Sequence, residues 1–269
     1  MNLFSLLRES LAKHDAVWVC VTQTKGSVPR DAGTWMAVFA DHLVGTIGGG
    51  HLEHQAVTLA RQVLDGTAAC PSEQTVPLGP SLGQCCGGVV QLSYQRISQA
   101  DLAALTPRLL PVREPVALFG GGHVGRALVQ VLSPLPFALR WIDSRDEVFP
   151  SHLPENVTSE HADPVQSAVA DLAPQSRVLI MSFSHAEDLD ILAACLKRQQ
   201  TQGDLPYIGL IGSATKWAKF RHRLQARGFS EQDLAWVTTP IGLPTIKSKS
   251  PEVIAVSVAA QLLSWMPTP

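Results

Sequence analysis

The residues best suited to chemistry are Cys85 and Cys86, adjacent in Leu-Gly-Gln-Cys-Cys-Gly-Gly (82–88). Neighbouring half-cystines bridge each other badly, and a spacing of one residue is poor for tetrahedral zinc. Five cysteines is an odd count without framework spacing, which fits a reducing cytoplasm better than secretion. Cys85 and Cys86 are therefore expected to be free thiols. A thiolate in a loop of unpaired N–H groups has a lowered pKa and reacts readily. Soft thiolates suit molybdenum, copper, an iron–sulfur unit or persulfide sulfur. Gly87 and Gly88 leave room for a bulky group to reach the sulfurs. The plainer alternative is two small buried apolar side chains. That role is expected of Cys20, in a strand pattern, and of Cys195, on a helix's apolar face, while nothing suggests a role for Cys70.

Two glycine clusters are the other candidates. Leu-Phe-Gly-Gly-Gly-His-Val-Gly (118–125) carries Gly120-x-Gly122-x-x-Gly125 after a strand pattern and at the start of a helix pattern. Asp143 ends the next strand pattern roughly 20 residues on, the place of a ribose-binding acid. Such a turn brings backbone N–H groups at the helix start against a phosphate. A nucleotide or phosphate-bearing cofactor is one reading, and a tight turn with nothing bound is the other. Asp143 can accept from a ribose hydroxyl or pair with Arg145, and His123 packs or caps. Gly48, Gly49 and Gly50 form a second strand–glycine–helix junction, where successive N–H groups could hold an anion. His51 and His54 share a helix face, but no third metal ligand is evident. Glu53 is a first-turn acid, favoured there by the helix dipole. Ser184 reads as a helix cap, ahead of His185.

The elements that must position these residues fall into two groups. Residues 3–13 have helical spacing, residues 16–21, 35–39, 43–47, 75–77 and 89–94 read as strands, and 51–64 as a helix. This predicts an N-terminal α+β domain over 1–97. Residues 98–114, with Pro107 and Pro111 inside and Pro115 just beyond, read as a short helix and linker. Residues 116–119, 138–142, 177–183 and 207–211 are apolar runs of strand length that mostly alternate with helical stretches. Alternation of that kind predicts a Rossmann-like doubly wound parallel sheet over 115–239. Residues 240–269 form a C-terminal segment with a helix, Pro251 suiting its first turn. The whole is α/β.

Composition narrows the partners. Of 269 residues 45% are hydrophobic and 16% charged, ordinary for a globular chain, and the net charge of −2 gives no footprint for nucleic acid or an anionic membrane. The most apolar tract, 253–266, falls short of the roughly 20 residues a bilayer requires. No secretory signal is evident in the first ten residues. A cytoplasmic protein without nucleic-acid or membrane partners is expected.

Gly-Thr-Ile-Gly-Gly-Gly-His-Leu-Glu (45–53), the Cys-Cys-Gly-Gly loop and the 118–125 turn are followed by four further stretches. These are Trp-Ile-Asp-Ser-Arg (141–145), Ile-Gly-Leu-Ile-Gly-Ser (208–213), Pro-Ile-Gly-Leu (240–243) and Ser-Pro-Glu-Val-Ile-Ala-Val (250–256). The ordered set resembles the XdhC/CoxI family over nearly the whole chain. Cys86 stands where both branches of that family place cysteine before Gly-Gly, Cys85 matches the XdhC branch, and His51 stands where the CoxI branch often has cysteine. Residues 246–250, Ile-Lys-Ser-Lys-Ser, depart from the small-residue pattern usual there. The resemblance implies a molybdenum-cofactor (molybdopterin) chaperone rather than an enzyme. Such a protein would favour sulfuration of the cofactor and insert it into apo xanthine dehydrogenase, with a cysteine desulfurase as sulfur source and a homodimeric assembly. It implies Cys86, assisted by Cys85, at the molybdenum. The pterin phosphate would need backbone N–H groups, which either glycine turn could supply; Gly48–Gly49–Gly50 is the favoured one, with a separate nucleotide possible at Gly120, Gly122, Gly125 and Asp143. The rival is an NAD(P)-dependent oxidoreductase using the Rossmann-like domain, although no sequence signature marks a hydride-transfer site.

Overall fold

In Ala-Val-Trp-Val-Cys-Val the β-branched and aromatic side chains favour extended chain, and Ala16–Lys25 forms β1. The computed structural model describes residues 3–78, 87–109 and 113–266, and divides into two units, Met1–Pro111 and Val112–Pro269. In the first unit β1 lies at the centre of an antiparallel sheet. Its partners are Trp35–Val38 (β2), Leu43–Gly45 (β3), Glu73–Pro77 (β4) and Val89–Ile97 (β5), in the order β3-β2-β1-β5-β4.

Side chains alternate across this sheet with the strand period of two. Val17, Val19 and Val21 pack with Leu52, Ala56 and Ala60 of helix α2 (Gly50–Leu64). Ala16 and Trp18 pack on the other face with Leu7 of α1 (Leu3–Leu11) and Leu105 of α3 (Leu102–Leu109). Covered on both faces, the sheet is the middle layer of three.

Register decides which connections meet. Cys20 pairs with Trp35, Lys25 with Val89, Met36 with Gly45 and Pro77 with Val89. The end of β1, the start of β2, the end of β3, the end of β4 and the start of β5 therefore share one end of the sheet. Residues 26–34, 46–49 and 78–88 all connect elements at that end.

The second unit is a Rossmann-like sheet of six strands. They are Glu114–Phe119 (β6), Phe137–Asp143 (β7), Val157–His161 (β8), Arg177–Ile180 (β9), Tyr207–Leu210 (β10) and Val237–Thr238 (β11), in the order β11-β10-β9-β6-β7-β8. Every neighbouring pair is parallel. The wholly apolar cores of β9 and β10 are buried on both faces. Helices α4 (His123–Leu132) and α8 (Pro251–Ser264) cover one face. Helices α5 (His185–Gln202) and α6 (Ala214–Ala226) cover the other. A short helix α7 (Glu231–Leu234) follows, closed by a capping box between Ser230 and Asp233. The chain starts at the centre, winds out to β8 and returns to β9, so the switch point lies between β6 and β9. The α/β class is as the sequence predicts. Strands β8 and β11 escape the apolar-run criterion because they are edge strands, one polar and one of two residues.

Leu78 N donates to Gly88 O at 2.7 Å, closing the base of the connection between β4 and β5. A Cβ on Gly88 would lie 2.5 Å from Ser27 O and 2.6 Å from Lys25 O, whereas one on Gly87 would meet nothing within 4 Å. Gly88→Ala is therefore expected to cost about 2 kcal/mol through overpacking. Gly87→Ala should stay within about 0.5 kcal/mol of wild type. Urea unfolding of the two variants compares them, and equal shifts would refute this account of the loop base.

Candidate functional site

At the shared end of the first sheet, the 46–50 turn is already bonded to a carboxylate. Glu53 reaches back from the first turn of α2, and its Oε2 accepts from Ile47 N at 3.0 Å, Gly49 N at 3.1 Å and Thr46 Oγ1 at 2.5 Å. Gly48 N donates to Thr46 Oγ1 at 3.1 Å. The anion faced by these N–H groups is thus the protein's own. Sequence reasoning credits Glu53 with favouring the helix dipole and misses this role. The overlooked signal is a glycine cluster with an acid just inside the helix it opens. Gly48 has φ +118°, and a Cβ there would meet Pro29 Cβ at 2.9 Å. The turn therefore packs against the same 26–34 connection that Gly88 touches.

The 25–30 segment thus lies between two glycine contacts, Gly88 on one side and Gly48 on the other. Lys25 and Arg30 are exposed there, with no ion-pair partner among the described residues. Cys85 and Cys86 lie outside the described residues; the loop that carries them is rooted at Leu78 and Gly88. His51 Nε2 pairs with Gln55 at 3.0 Å, and no three His, Cys, Asp or Glu side chains gather for a metal among the described residues. Of the other cysteines, Cys195 is fully buried and its thiol is pushed up to about 12 by desolvation. Cys20, half-buried in β1, is raised for the same reason, and Cys70 is exposed.

In the second unit, the turn after β6 is shaped by close contacts. Gly120 has φ +128°, and a Cβ there would lie 2.0 Å from Met181 O; one on Gly125 would lie 2.0 Å from Gly120 O. Gly120 O also accepts from the Trp141 indole at 3.0 Å. Gly122, by contrast, is exposed with nothing within 4 Å of a Cβ, and α4 begins there without a side-chain cap. The open glycine and uncapped helix start are what a phosphate site requires.

Asp143 is committed elsewhere. Its side chain is 1% exposed. Oδ2 accepts from Gly121 N at 2.5 Å and Arg145 Nη2 at 3.0 Å, and Oδ1 accepts from Arg145 N and Nε, both at 2.9 Å. The Arg145 guanidinium also lies 4.4 Å from the ring centre of Phe183, a large exposed apolar side chain. Of the two roles open to Asp143 in the sequence, the structure places it with Arg145, leaving no acceptor position free for a ribose hydroxyl. Ser184 caps α5, accepting from Glu187 N at 3.2 Å. Near it, Asp188 bonds Lys216 Nζ at 2.6 Å and Ser182 N at 2.7 Å, a buried pair tying α5 and α6 to the ends of the strands.

A two-unit α/β protein with a Rossmann domain is the class these features define. Residues 116–262 match the model of the XdhC Rossmann domain and residues 11–72 that of the XdhC and CoxI family. The chain belongs to the XdhC and CoxI family. It is 27% identical over 254 residues to the uncharacterized protein YqeB of Escherichia coli (strain K12), covering 90% of this chain and 42% of that protein. The chain thus spans less than half the length of that relative. A crystal structure described as a xanthine dehydrogenase from Bacillus halodurans matches with a TM-score of 0.77 at 20% identity. It covers 98% of this chain and 95% of that one, and shows the shared fold.

Burial raises the Asp143 carboxyl, but the bonds from Arg145 and Gly121 outweigh it and hold its pKa below the usual range. Its contribution to stability is therefore present above the unfolded carboxyl pKa near 3.9 and is lost as pH falls through the lower folded value. Wild type should lose unfolding temperature below about pH 4 more steeply than Asp143→Asn does. Parallel pH curves for the two proteins would contradict this.

Proposed function

We propose that this protein is a molybdenum-cofactor chaperone serving xanthine dehydrogenase maturation. It carries the cofactor as cargo, favours its sulfuration and passes it to the apo dehydrogenase. Family membership supports the general role. The observation that carries the finer reading is the register of the first sheet, which roots the Cys85–Cys86 loop and the 46–50 turn at one end around the 25–30 segment.

At that end, Cys86 with Cys85 would hold the molybdenum as thiolates, soft donors suited to it. Gly87, open on its Cα, lets the cargo approach. The N–H groups of Ile47, Gly48 and Gly49 are already bonded, so the pterin phosphate is assigned to the free cations Lys25 and Arg30, with Gly48, Gly49 and Gly50 shaping the wall. Gly120, Gly122 and Gly125 form a separate phosphate-sized turn. Asp143 fixes that turn through Gly121 rather than reading a ribose, so an NAD(P)-dependent oxidoreductase is the less supported reading. A cysteine desulfurase supplies the sulfur in this scheme. The exposed Val256, Leu263 and Trp265 at α8 and just beyond it offer an apolar face for a homodimer. A cytoplasmic site of action fits free thiols.

The test is to purify the protein from cofactor-producing cells and measure molybdenum and pterin after gel filtration. Wild type should retain both, and the double variant Cys85→Ala with Cys86→Ala should lose most of each while keeping its unfolding temperature. Equal retention would sink the thiol role. Tight calorimetric binding of NAD or NADP, with no retained pterin in wild type, would favour the oxidoreductase instead.

A further inference from the structure

Beyond β10 and β11, residues of the 238–249 segment and of α8 line a half-open cavity of about 900 Å³ that the cargo reading leaves unused. Its size is that of a small-molecule site, within roughly 300–1,000 Å³. Ile211, Ile241, Leu243 and Ile254 give it apolar walls, and Lys247 and Lys249 line it as well. Both lysines are exposed and neither has an ion-pair or hydrogen-bond partner among the described residues. The cavity lies at the carboxyl edge of a parallel sheet, where open α/β folds bind ligands.

Three sets of unused polar groups meet this cavity. The first is the first turn of α8, a helix of 14 residues that meets the cavity at Val253; Pro251 has no N–H to offer, and the cap Ser250 accepts from neither of the first-turn N–H groups of Glu252 and Val253. Its hydroxyl donates instead to Glu252 Oε2 at 2.5 Å, and Ile254 N is the first to bond back, to Ser250 O. The second is Gln261, which lines the cavity while only 8% exposed. Its Oε1 accepts from Tyr207 Oη at 2.7 Å and from Gly242 N at 2.8 Å. A backbone N–H can only donate, so the amide orientation is fixed, and its NH₂ has no partner among the described residues. The third is Thr239 Oγ1, buried and without a partner among the described residues.

The wall is held in shape by polar groups on an otherwise apolar helix. Ser257 Oγ accepts from Leu243 N at 2.8 Å, and Gln261 holds Gly242, so the 240–243 segment is pinned to α8 on both counts. Glu252 is the nearby opposing charge. Its carboxyl is held below the usual range by Ser250, so it stays anionic and offsets part of the charge of the two lysines, which outnumber it.

We propose that this cavity binds a phosphorylated ligand of nucleotide size, a phosphomonoester on an uncharged heterocyclic body. The phosphate lies between Lys247, Lys249 and the first-turn N–H groups of α8. The body lies against Ile211, Ile241 and Leu243, with the Gln261 amide and Thr239 hydroxyl reading its polar edge. The inference stands on the second unit alone and does not depend on cargo at Cys85 and Cys86.

The experiment is calorimetric titration of the full chain with adenosine 5′-monophosphate, adenosine, inorganic phosphate and 6-hydroxymethylpterin phosphate. At least one of the two phosphorylated heterocycles should bind more tightly than adenosine and inorganic phosphate, weakening as salt rises. Preference for the nucleotide or for the pterin identifies the source, and either supports the site only together with the loss in the Lys247 and Lys249 double variant, because the first unit also offers Lys25 and Arg30 to a pterin phosphate. Lys247→Gln with Lys249→Gln should weaken that binding at least about fivefold, since a charge-assisted contact is lost at each, with no change in unfolding temperature. Thr239→Val should weaken it without altering its salt dependence. Absence of binding by both phosphorylated compounds, or binding untouched by the lysine double variant, overturns the proposal.

Discussion

Backbone packed directly against backbone, at one end of the first sheet, is the constraint on which the arrangement of motifs depends. Gly88 sits on the carbonyls of Lys25 and Ser27, and Gly48 sits on the Pro29 ring, so the 25–30 segment is gripped from two sides. A side chain at either glycine would open the contact. The root of the thiol loop, at Gly88, and the turn with three glycines are therefore not separate features that merely share a unit. Both contact one short segment, 25–30, and are held there by the strand register.

The two glycine turns share a second device. In each, a carboxylate from the same unit takes a turn N–H: Glu53 at Ile47 and Gly49, Asp143 at Gly121. Each acid is itself fixed, Glu53 by Thr46 and Asp143 by the bidentate grip of Arg145. Unpaired N–H groups in tight turns are costly when shielded from water, and the chain satisfies several with side chains close in sequence or on the adjoining strand. What stays open differs. Among the described residues, Gly122 and the start of α4 remain bare in the second unit, and at the shared end of the first sheet the unpaired cations are Lys25 and Arg30.

Much of this was legible in the sequence. The Rossmann-like sheet followed from apolar runs at 116–119, 138–142, 177–183 and 207–211, because buried parallel strands have no polar face to interrupt the run. The glycine turn after β6 was readable because its steric demands admit few other residues. The cap at Ser184 was readable because capping acts within four residues. Contacts distant in sequence were not. Nothing in 45–53 states that Glu53 folds back onto two N–H groups, and nothing in 141–145 decides between a ribose and Arg145 for Asp143. The meeting of Gly48 with Pro29 and of Gly88 with Ser27 depends on register between strands far apart in the chain, which periodicity does not encode. The polar anchors Ser257 and Gln261 read as imperfections in an apolar helix until their partners in 242–243 are seen.

The Glu53 contact has a consequence for what the first unit can hold. A turn that already contains a tethered carboxylate behaves like an enzyme co-crystallised with its own competitive inhibitor. A free anion arriving there gains only the difference between its bonds and those it displaces, and the tether keeps the displaced group at high local concentration. Small inorganic anions are thus excluded by competition rather than by shape. A molecule can stay at this end of the sheet only if it is fastened by a second, chemically different attachment.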